Sequence, residues 1–340
     1  MLLGVLLLAA CQSGTQDTTP QTSSHPTTNP TFRLRKTFRL ADSIHTLAAA
    51  DLNNDGFPEL LAAGDSALFF WENKRMFSFR RHSVQDSASC ALNVMDFNYD
   101  SYVDIFSPPL VWFNNRDFTF SDSLLPAFSA DCPQNPYFVD LNQDGAIDIA
   151  ANGKAWRHEG DTFMLLESDT ILQKSAFKQS ILLNKQPETL ALSDGEPTAL
   201  GFRVFGADIT QLIPADLDRD GDPDILSLHT GKTLKIWENQ TLPQTDRHYI
   251  KLRLIGAYPN YYGIGARVNV RQNGQGYQLE NQPRSALGVR EPILYIGLGE
   301  EETLDYLTVH WPDGRVQRFQ GLYADQELTV NQTHAKANTK

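Results

Sequence analysis

Four short stretches place an acid or an asparagine at positions 1, 3, 5 and 9 and then run directly into an apolar segment. They are "DLNNDGFPELL" from Asp51, "DFNYDSYVDIF" from Asp96, "DLNQDGAIDIA" from Asp140 and "DLDRDGDPDIL" from Asp216. Acidic side chains crowded this closely repel one another unless something cationic lies among them. One such stretch would be a surface turn, whereas four make an architecture built from repeated units.

The first three motifs begin 45 and 44 residues apart. A period in this range, with short strands between, points to the blades of a β-propeller. The segments after the motifs, "ELLAAG", "VDIFS", "IDIAANG" and "PDILSLHTG", are strand-like in length and content. An aromatic step and a polar turn follow each one, which predicts a hairpin per repeat with Trp71, Trp112, Trp156 and Trp237 at related places. Packing between blades is the preferred role for these tryptophans over ligand stacking. The gap from Asp140 to Asp216 is longer and holds a degenerate copy, "LALSDGEPTALGFR" at 190–203, in which Asp194-Gly195 and Pro197 echo Asp55-Gly56 and Pro58. That copy lacks the acid at position 1, so no metal is assigned to it.

Within each motif, positions 1, 3 and 5 offer side-chain oxygens, position 7 a backbone carbonyl and position 9 a further carboxylate. The candidate ligands are Asp51, Asn53, Asp55, Phe57 and Glu59 in the first loop, and Asp96, Asn98, Asp100, Tyr102 and Asp104 in the second. The third offers Asp140, Asn142, Asp144, Ala146 and Asp148, and the fourth Asp216, Asp218, Asp220, Asp222 and Asp224. Hard oxygen donors at this density suit calcium, which takes six to eight of them in flexible geometry, better than magnesium, which keeps more of its water. Glycine at position 6 (Gly56, Gly145, Gly221) permits a sharp turn with positive φ, whereas Ser101 in the second loop is expected to cost about 1 kcal/mol and weaken that site. The fourth loop has the most acids and is expected to bind best. An EF-hand is excluded because position 12 is Ala62, Ser107, Ala151 or Ser227 rather than an acid, and strand-like sequence follows.

Asp-x-Asn/Asp-x-Asp-Gly followed by a strand, in repeated copies, resembles the FG-GAP/VCBS repeats of integrin α-subunit-type β-propellers. The resemblance implies calcium held by these loops between the strands of a blade. That family usually closes with seven blades, while this chain shows four clear repeats and an eroded fifth.

The ends carry different information. "MLLGVLLLAAC" is an apolar stretch, too short for a mature membrane helix, that ends in small residues before Cys11, as an export signal does. Leu8-Ala9-Ala10-Cys11 resembles a bacterial lipobox, which implies lipidation of Cys11, although no Lys or Arg precedes the apolar run. An ordinary signal peptide is the alternative. Residues 12–31 lack any large apolar side chain and read as a tether spanning roughly 25 Å as a random coil. This order, 1–11 signal and lipobox followed by the tether, places the body in the cell envelope, most simply on the outer membrane, attached through lipid alone. The formal net charge of −12 argues against nucleic acid as a partner. Most of that charge would be cancelled by a divalent cation in each loop. Cys90 and Cys132 stand ahead of successive motifs, and pairing and separate burial both remain open.

Residues 32–245 are therefore expected to hold the repeats, and 246–332 a second domain before a short tail at 333–340. In the second domain Ile250, Leu252 and Leu254 alternate onto one face, as do Val268 with Val270 and Leu307 with Val309 and Trp311. Pro312-Asp313-Gly314 reads as a tight hairpin. Half-buried strands with such turn signals predict a small β-sandwich. "YYGIGARVNV", "LYIGLG" and "LTVHWPDGRVQRFQG", in that order, resemble the ASPIC/UnbV domain that follows such repeats in the cartilage acidic protein family.

The fold class expected is all-β, a partial or small propeller followed by a sandwich-like domain. The eight histidines show no close metal-ligand spacing, and no nucleophile elbow or phosphate-binding glycine loop occurs. "GIGARV" sits in a β context and reads as a turn. The function expected is non-catalytic adhesion, recognition or surface assembly toward a protein or carbohydrate ligand. The alternative is an enzyme acting on polysaccharide at a propeller channel or interdomain cleft, and a third reading is a structural subunit of a larger surface complex.

Overall fold

The described residues fold mainly as β-strands linked by turns. The computed structural model describes residues 32–86, 89, 91–98, 100–125, 137–139, 148–151, 154–159, 162–166, 192–193, 196–197, 208–240, 248–258, 260–282, 284–285 and 288–334. Cys11, Cys90, Cys132 and the loop residues Asp140, Asn142, Asp144 and Ala146 lie outside these.

An opening strand, β1 (Phe32–Arg39), precedes the repeats. The first repeat follows as β2 (Ile44–Ala50), β3 (Glu59–Gly64), β4 (Leu68–Asn73) and β5 (Phe79–Gln85). The second is β6 (Asn93–Met95), β7 (Asp104–Ser107), β8 (Leu110–Asn114) and β9 (Phe120–Leu124). The third is β10 (Tyr137–Val139), β11 (Asp148–Ala151), β12 (Lys154–Glu159) and β13 (Thr162–Leu166). A two-residue ladder, β14 (Leu192–Ser193) with β15 (Glu196–Pro197), falls within the degenerate copy. The last repeat has three strands of its own, β16 (Ile209–Ala215), β17 (Asp224–His229) and β18 (Thr233–Asn239).

Each repeat is an antiparallel meander whose acidic motif joins its first two strands. The register is the same throughout: Leu60 pairs with Trp71, Ile105 with Trp112, Ile149 with Trp156 and Ile225 with Trp237. The four tryptophans are thus equivalent, as the repeat pattern predicts. Inner strands such as β3 ("ELLAAG") and β4 ("LFFWEN") are buried along their whole length, because a sheet stacked between two others presents no wet face. Outer strands such as β5 ("FRRHSVQ") are charged and exposed or half-buried throughout, which discourages edge-to-edge pairing with other chains.

Apolar layers between sheets set their order. Leu47, Leu60 and Trp71 of the first sheet pack against Ile213, Leu226 and Ile236 of the last. Leu61 and Phe70 meet Leu92, Val94 and Ile105 of the second, and Met95 and Phe106 meet Phe138, Ile149 and Trp156 of the third. The last sheet therefore stands beside the first. Strand β1 completes that last sheet by pairing antiparallel with β18, giving the order β1-β18-β17-β16.

The C-terminal strands begin with β19 (His248–Ile255), β20 (Arg267–Gln272), β21 (Gln275–Glu280), β22 (Arg284–Ser285) and β23 (Gly288–Arg290). They continue with β24 (Ile293–Gly299), β25 (Thr303–His310), β26 (Val316–Tyr323) and β27 (Gln326–Asn331), then a short 3₁₀ turn. Sheets β24-β19-β27 and β21-β20-β25-β26 enclose a core containing Ile250, Leu252, Leu254, Val268, Val270, Leu307, Val309 and Trp311, the residues whose alternation predicts them inside. Gly314 makes the expected hairpin at φ +87°, its N–H donating to the Trp311 carbonyl at 3.0 Å.

One segment of this region leaves the sandwich. Strands β22 and β23 extend the first repeat sheet, giving the order β22-β23-β2-β3-β4-β5. Strand β23 runs parallel to β2, with Ala48 opposite Val289 and Ala49 opposite Arg290, and also lies against β16 and β6. It therefore occupies the place where the first strands of three sheets meet, satisfying backbone groups on the free edge of β2. Among the described residues, no helix is long and apolar enough to cross a membrane.

Candidate functional site

The acidic loops fold by a common set of side-chain to backbone bonds. In the first, Asp51 accepts the N–H groups of Asp55 (3.1 Å) and Gly56 (2.8 Å), Asn53 accepts that of Asp55 (3.0 Å), and Asp55 that of Phe57 (2.9 Å). The second repeats this with Asp96 on Asp100 (3.0 Å) and Ser101 (2.8 Å), Asn98 on Asp100 (3.1 Å) and Asp100 on Tyr102 (2.9 Å). Left-handed backbone is required at position 6, at Gly56 (φ +85°), Gly221 (φ +100°) and Ser101 (φ +71°), so the serine adopts the strained turn expected of it. Position 4 is left-handed too, at Asn54 and Arg219.

Position 9 is wholly buried in every repeat: Glu59, Asp104, Asp148 and Asp224. In three of them both carboxylate oxygens accept backbone N–H groups. Glu59 takes Leu52 (2.8 Å) and Asn73 (3.4 Å), Asp104 takes Phe97 (2.8 Å) and Asn114 (2.8 Å), and Asp224 takes Leu217 (3.0 Å) and Asn239 (2.8 Å). These acids clamp the start of the loop to the end of the third strand. Burial pushes Glu59 and Asp224 up to about 9 and Asp104 up to about 7.

The partners of the clamp, Asn73, Asn114 and Asn239, are missing from the ligand set derived from the motifs. Their side-chain amides donate to the carbonyl at position 8 of their own loop, Pro58 (3.3 Å), Val103 (3.0 Å) and Pro223 (3.2 Å). Asn73 also reaches Leu217 in the last loop (2.9 Å), and Asn114 reaches Leu52 in the first (2.7 Å). Each stitches one loop to the next. The signal was visible as an asparagine two residues after the tryptophan in "WEN", "WFN" and "WEN".

Position 7 shows a different use of its side chains. Phe57 lies under Arg75 (4.7 Å) and Arg219 (5.9 Å), and Tyr102 under Arg116 (4.9 Å). The Asp222 side chain is buried, its N–H donating to Asp220 at 3.1 Å.

The last loop gathers its acids most tightly. Asp216, Asp218 and Asp220 have ligand oxygens within 4.8 Å of one another. Asp216 Oδ1 and Asp218 Oδ1 are buried without a hydrogen-bond partner. Burial raises the pKa of all three; Asp218 is further raised by Asp220 and Asp216, while Lys251 opposes the rise at Asp216. Hard oxygens spaced this closely are the donor type a calcium ion takes, but here a buried ammonium, that of Lys251, is already set against one of them.

Residues of the C-terminal region cover these loops. Lys251 Nζ lies 3.4 Å from Asp216 Oδ2, the Asp216 N–H donates to the Tyr295 hydroxyl (3.3 Å), and Tyr249 packs on Gly221. Beside the first loop, Glu291 accepts the Asp51 N–H (3.1 Å) and pairs with Arg253 (3.1 Å), which also reaches Glu327 (3.4 Å). Burial, then the Glu291 charge, lifts Asp51 to about 6. Between the loops and this cover lies a cleft of about 440 Å³, walled by Asp51, Asp55, Asp96, Arg219, Arg253 and Tyr261 among others.

Gly221 is where cover and loop meet most closely, since a Cβ there would fall 1.9 Å from the Tyr249 ring. With positive φ added to that clash, Gly221→Ala is expected to destabilise by about 2–3 kcal/mol. Urea unfolding would show it, and an unchanged midpoint would mean that Tyr249 moves freely.

Residues 256–337 match the protein family described as ASPIC and UnbV. No curated protein matches the sequence. Among solved structures, the V. cholerae biofilm matrix protein Bap1 is similar over 81% of this chain and 48% of its own, at 11% identity and TM-score 0.26. AofleA from Arthrobotrys oligospora is similar over 91% of this chain and 81% of its own, at 9% identity and TM-score 0.28. The chain thus spans about half the length of the Bap1 structure. It is an all-β protein with an ASPIC/UnbV domain at its C-terminal end.

Proposed function

We propose that this is an exported, lipid-anchored protein of the bacterial envelope. Its acidic loops bind calcium on a β-propeller of FG-GAP/VCBS type, and it serves adhesion, recognition or surface assembly without catalysis. The observation that carries the reading is the shared loop architecture. The first two loops have the same Asp-Asn-Asp geometry, with equivalent side chains accepting equivalent backbone N–H groups. Residues of the first, second and last loops wall the cleft, which is then the natural ligand site for a surface protein or carbohydrate. Cys11 and the tether would hold the body on the membrane, most simply the outer one.

The competing reading, an enzyme on polysaccharide, needs free acids apart from the loops. The two cleft acids of the cover, Glu291 and Glu327, are both engaged by Arg253, which supports a structural role for them. Strand β23 lies against the first strands of three sheets, where a propeller channel would run, which favours the cleft over the channel as the site.

Melting in calcium, in magnesium and in chelator tests the metal. Each site held at 100 times its dissociation constant stabilises by about 2.7 kcal/mol, so calcium is expected to raise the melting temperature well above either alternative. Equal melting in all three would remove the reading. Retention of protein-coated beads on envelope material tests the role: it is expected in calcium and lost in chelator. Prior protease or periodate treatment of that material separates protein from carbohydrate ligands.

A further inference from the structure

The last loop differs from the first two in what neutralises its first acid. Asp51 and Asp96 turn both carboxylate oxygens onto N–H groups of their own loops. Asp216 also faces the Arg219 and Gly221 N–H groups of its own loop, but it directs Oδ2 at Lys251 Nζ, 3.4 Å away, where neither Asp51 nor Asp96 is given a lysine. Lys251 is itself buried, 7% exposed at its side chain, and its ammonium faces the Tyr295 ring at 5.9 Å. Its backbone is fixed from both sides, since Lys251 pairs with Tyr295 of β24 and with Glu327 of β27.

We propose that the last loop is a lysine-filled joint: Lys251, supplied by the ASPIC/UnbV end of the chain, takes the place of the loop's calcium. The inference rests on reading the other loops as calcium sites. A buried ammonium beside Asp216 neutralises the carboxylate that a cation would need first. A divalent ion entering the loop would meet that like charge in surroundings that screen it weakly. Lys251 borders the cleft, and a move into it would abandon Asp216 and the Tyr295 ring. The loop richest in acids is therefore the one that works without metal. Its role is to fasten the sandwich to the repeat sheets in any calcium concentration, through Lys251, Tyr295 and the Tyr249–Gly221 contact.

Counting calcium ions per chain by native mass spectrometry, with affinities from calorimetry, decides the matter. Lys251→Met is expected to bind one ion more than the wild type, or to bind its last ion at least tenfold tighter. Asp218→Asn/Asp220→Asn is expected to bind as many ions as the wild type, because those oxygens hold none. The proposal is overturned if the methionine variant gains nothing, or if the asparagine variant loses an ion. Should Lys251→Met fail to fold, the asparagine variant decides alone. A wild type that binds no calcium would instead defeat the reading of the other loops, and a gain of one ion by Lys251→Met would still uphold the joint.

Discussion

Asp104→Ala is expected to lower stability by about 3–5 kcal/mol even in chelator. Asp104 is fully buried, and each of its oxygens accepts a backbone N–H at 2.8 Å, from Phe97 and from Asn114. Alanine leaves both donors buried and unpaired, at roughly 1–3 kcal/mol each. It also frees Asn114, whose amide ties Val103 and the neighbouring Leu52. For a folded body of this size the loss corresponds to a melting temperature lower by roughly 10 °C. Asp104→Asn keeps one acceptor and is expected to cost about half as much. Working in chelator separates two roles for position 9. A clamp is missed whether or not metal is present, whereas a pure ligand is missed only in calcium. If the alanine variant melts with the wild type in chelator and diverges only in calcium, the clamp is refuted.

The metal-free protein is also expected to become less stable as the pH rises, the reverse of its calcium-loaded form. Burial raises Glu59 and Asp224 to about 9, Asp104 to about 7 and Asp51 to about 6 in the folded chain. In the unfolded chain these groups titrate near 4. Between the two values the folded state binds more protons than the unfolded state, so stability falls with rising pH. The contribution is complete below about pH 4 and is lost as the pH passes through 6 to 9. The melting temperature in chelator should therefore drop by about 10 °C or more from pH 5 to pH 8. With calcium the trend inverts, because protons and the cation compete for the same oxygens. A chelated protein that melts higher at pH 8 than at pH 5 would show that the folded state prefers its buried acids charged.

Strand β1 and the segment β22–β23 act at opposite ends of the repeats. The first ties the start of the repeat region into its last sheet, and the second ties the C-terminal region to its first. The chain is thereby fastened at both ends of the array, and Lys251 adds a third fastening at the last loop.

The sequence by itself determined whatever depends on local spacing. Strand alternation placed Ile250, Leu252 and Leu254 in the sandwich core, the shared period made Trp71, Trp112, Trp156 and Trp237 equivalent, and the motifs marked the loops at Asp51, Asp96 and Asp216. These follow from period-two side-chain direction and from turn chemistry, which operate within a few residues. Only the tertiary structure decided that "FRLRKTFR" completes the last sheet, that 288–290 joins the first, and that Lys251 meets Asp216. Those contacts join residues from 35 to 241 positions apart, and no local pattern encodes which free edge or which buried charge a distant segment will find. The clamp at position 9 lies between the two cases. The acids and the recurring asparagines were both legible, but their pairing required the third strand to fold back beside the loop.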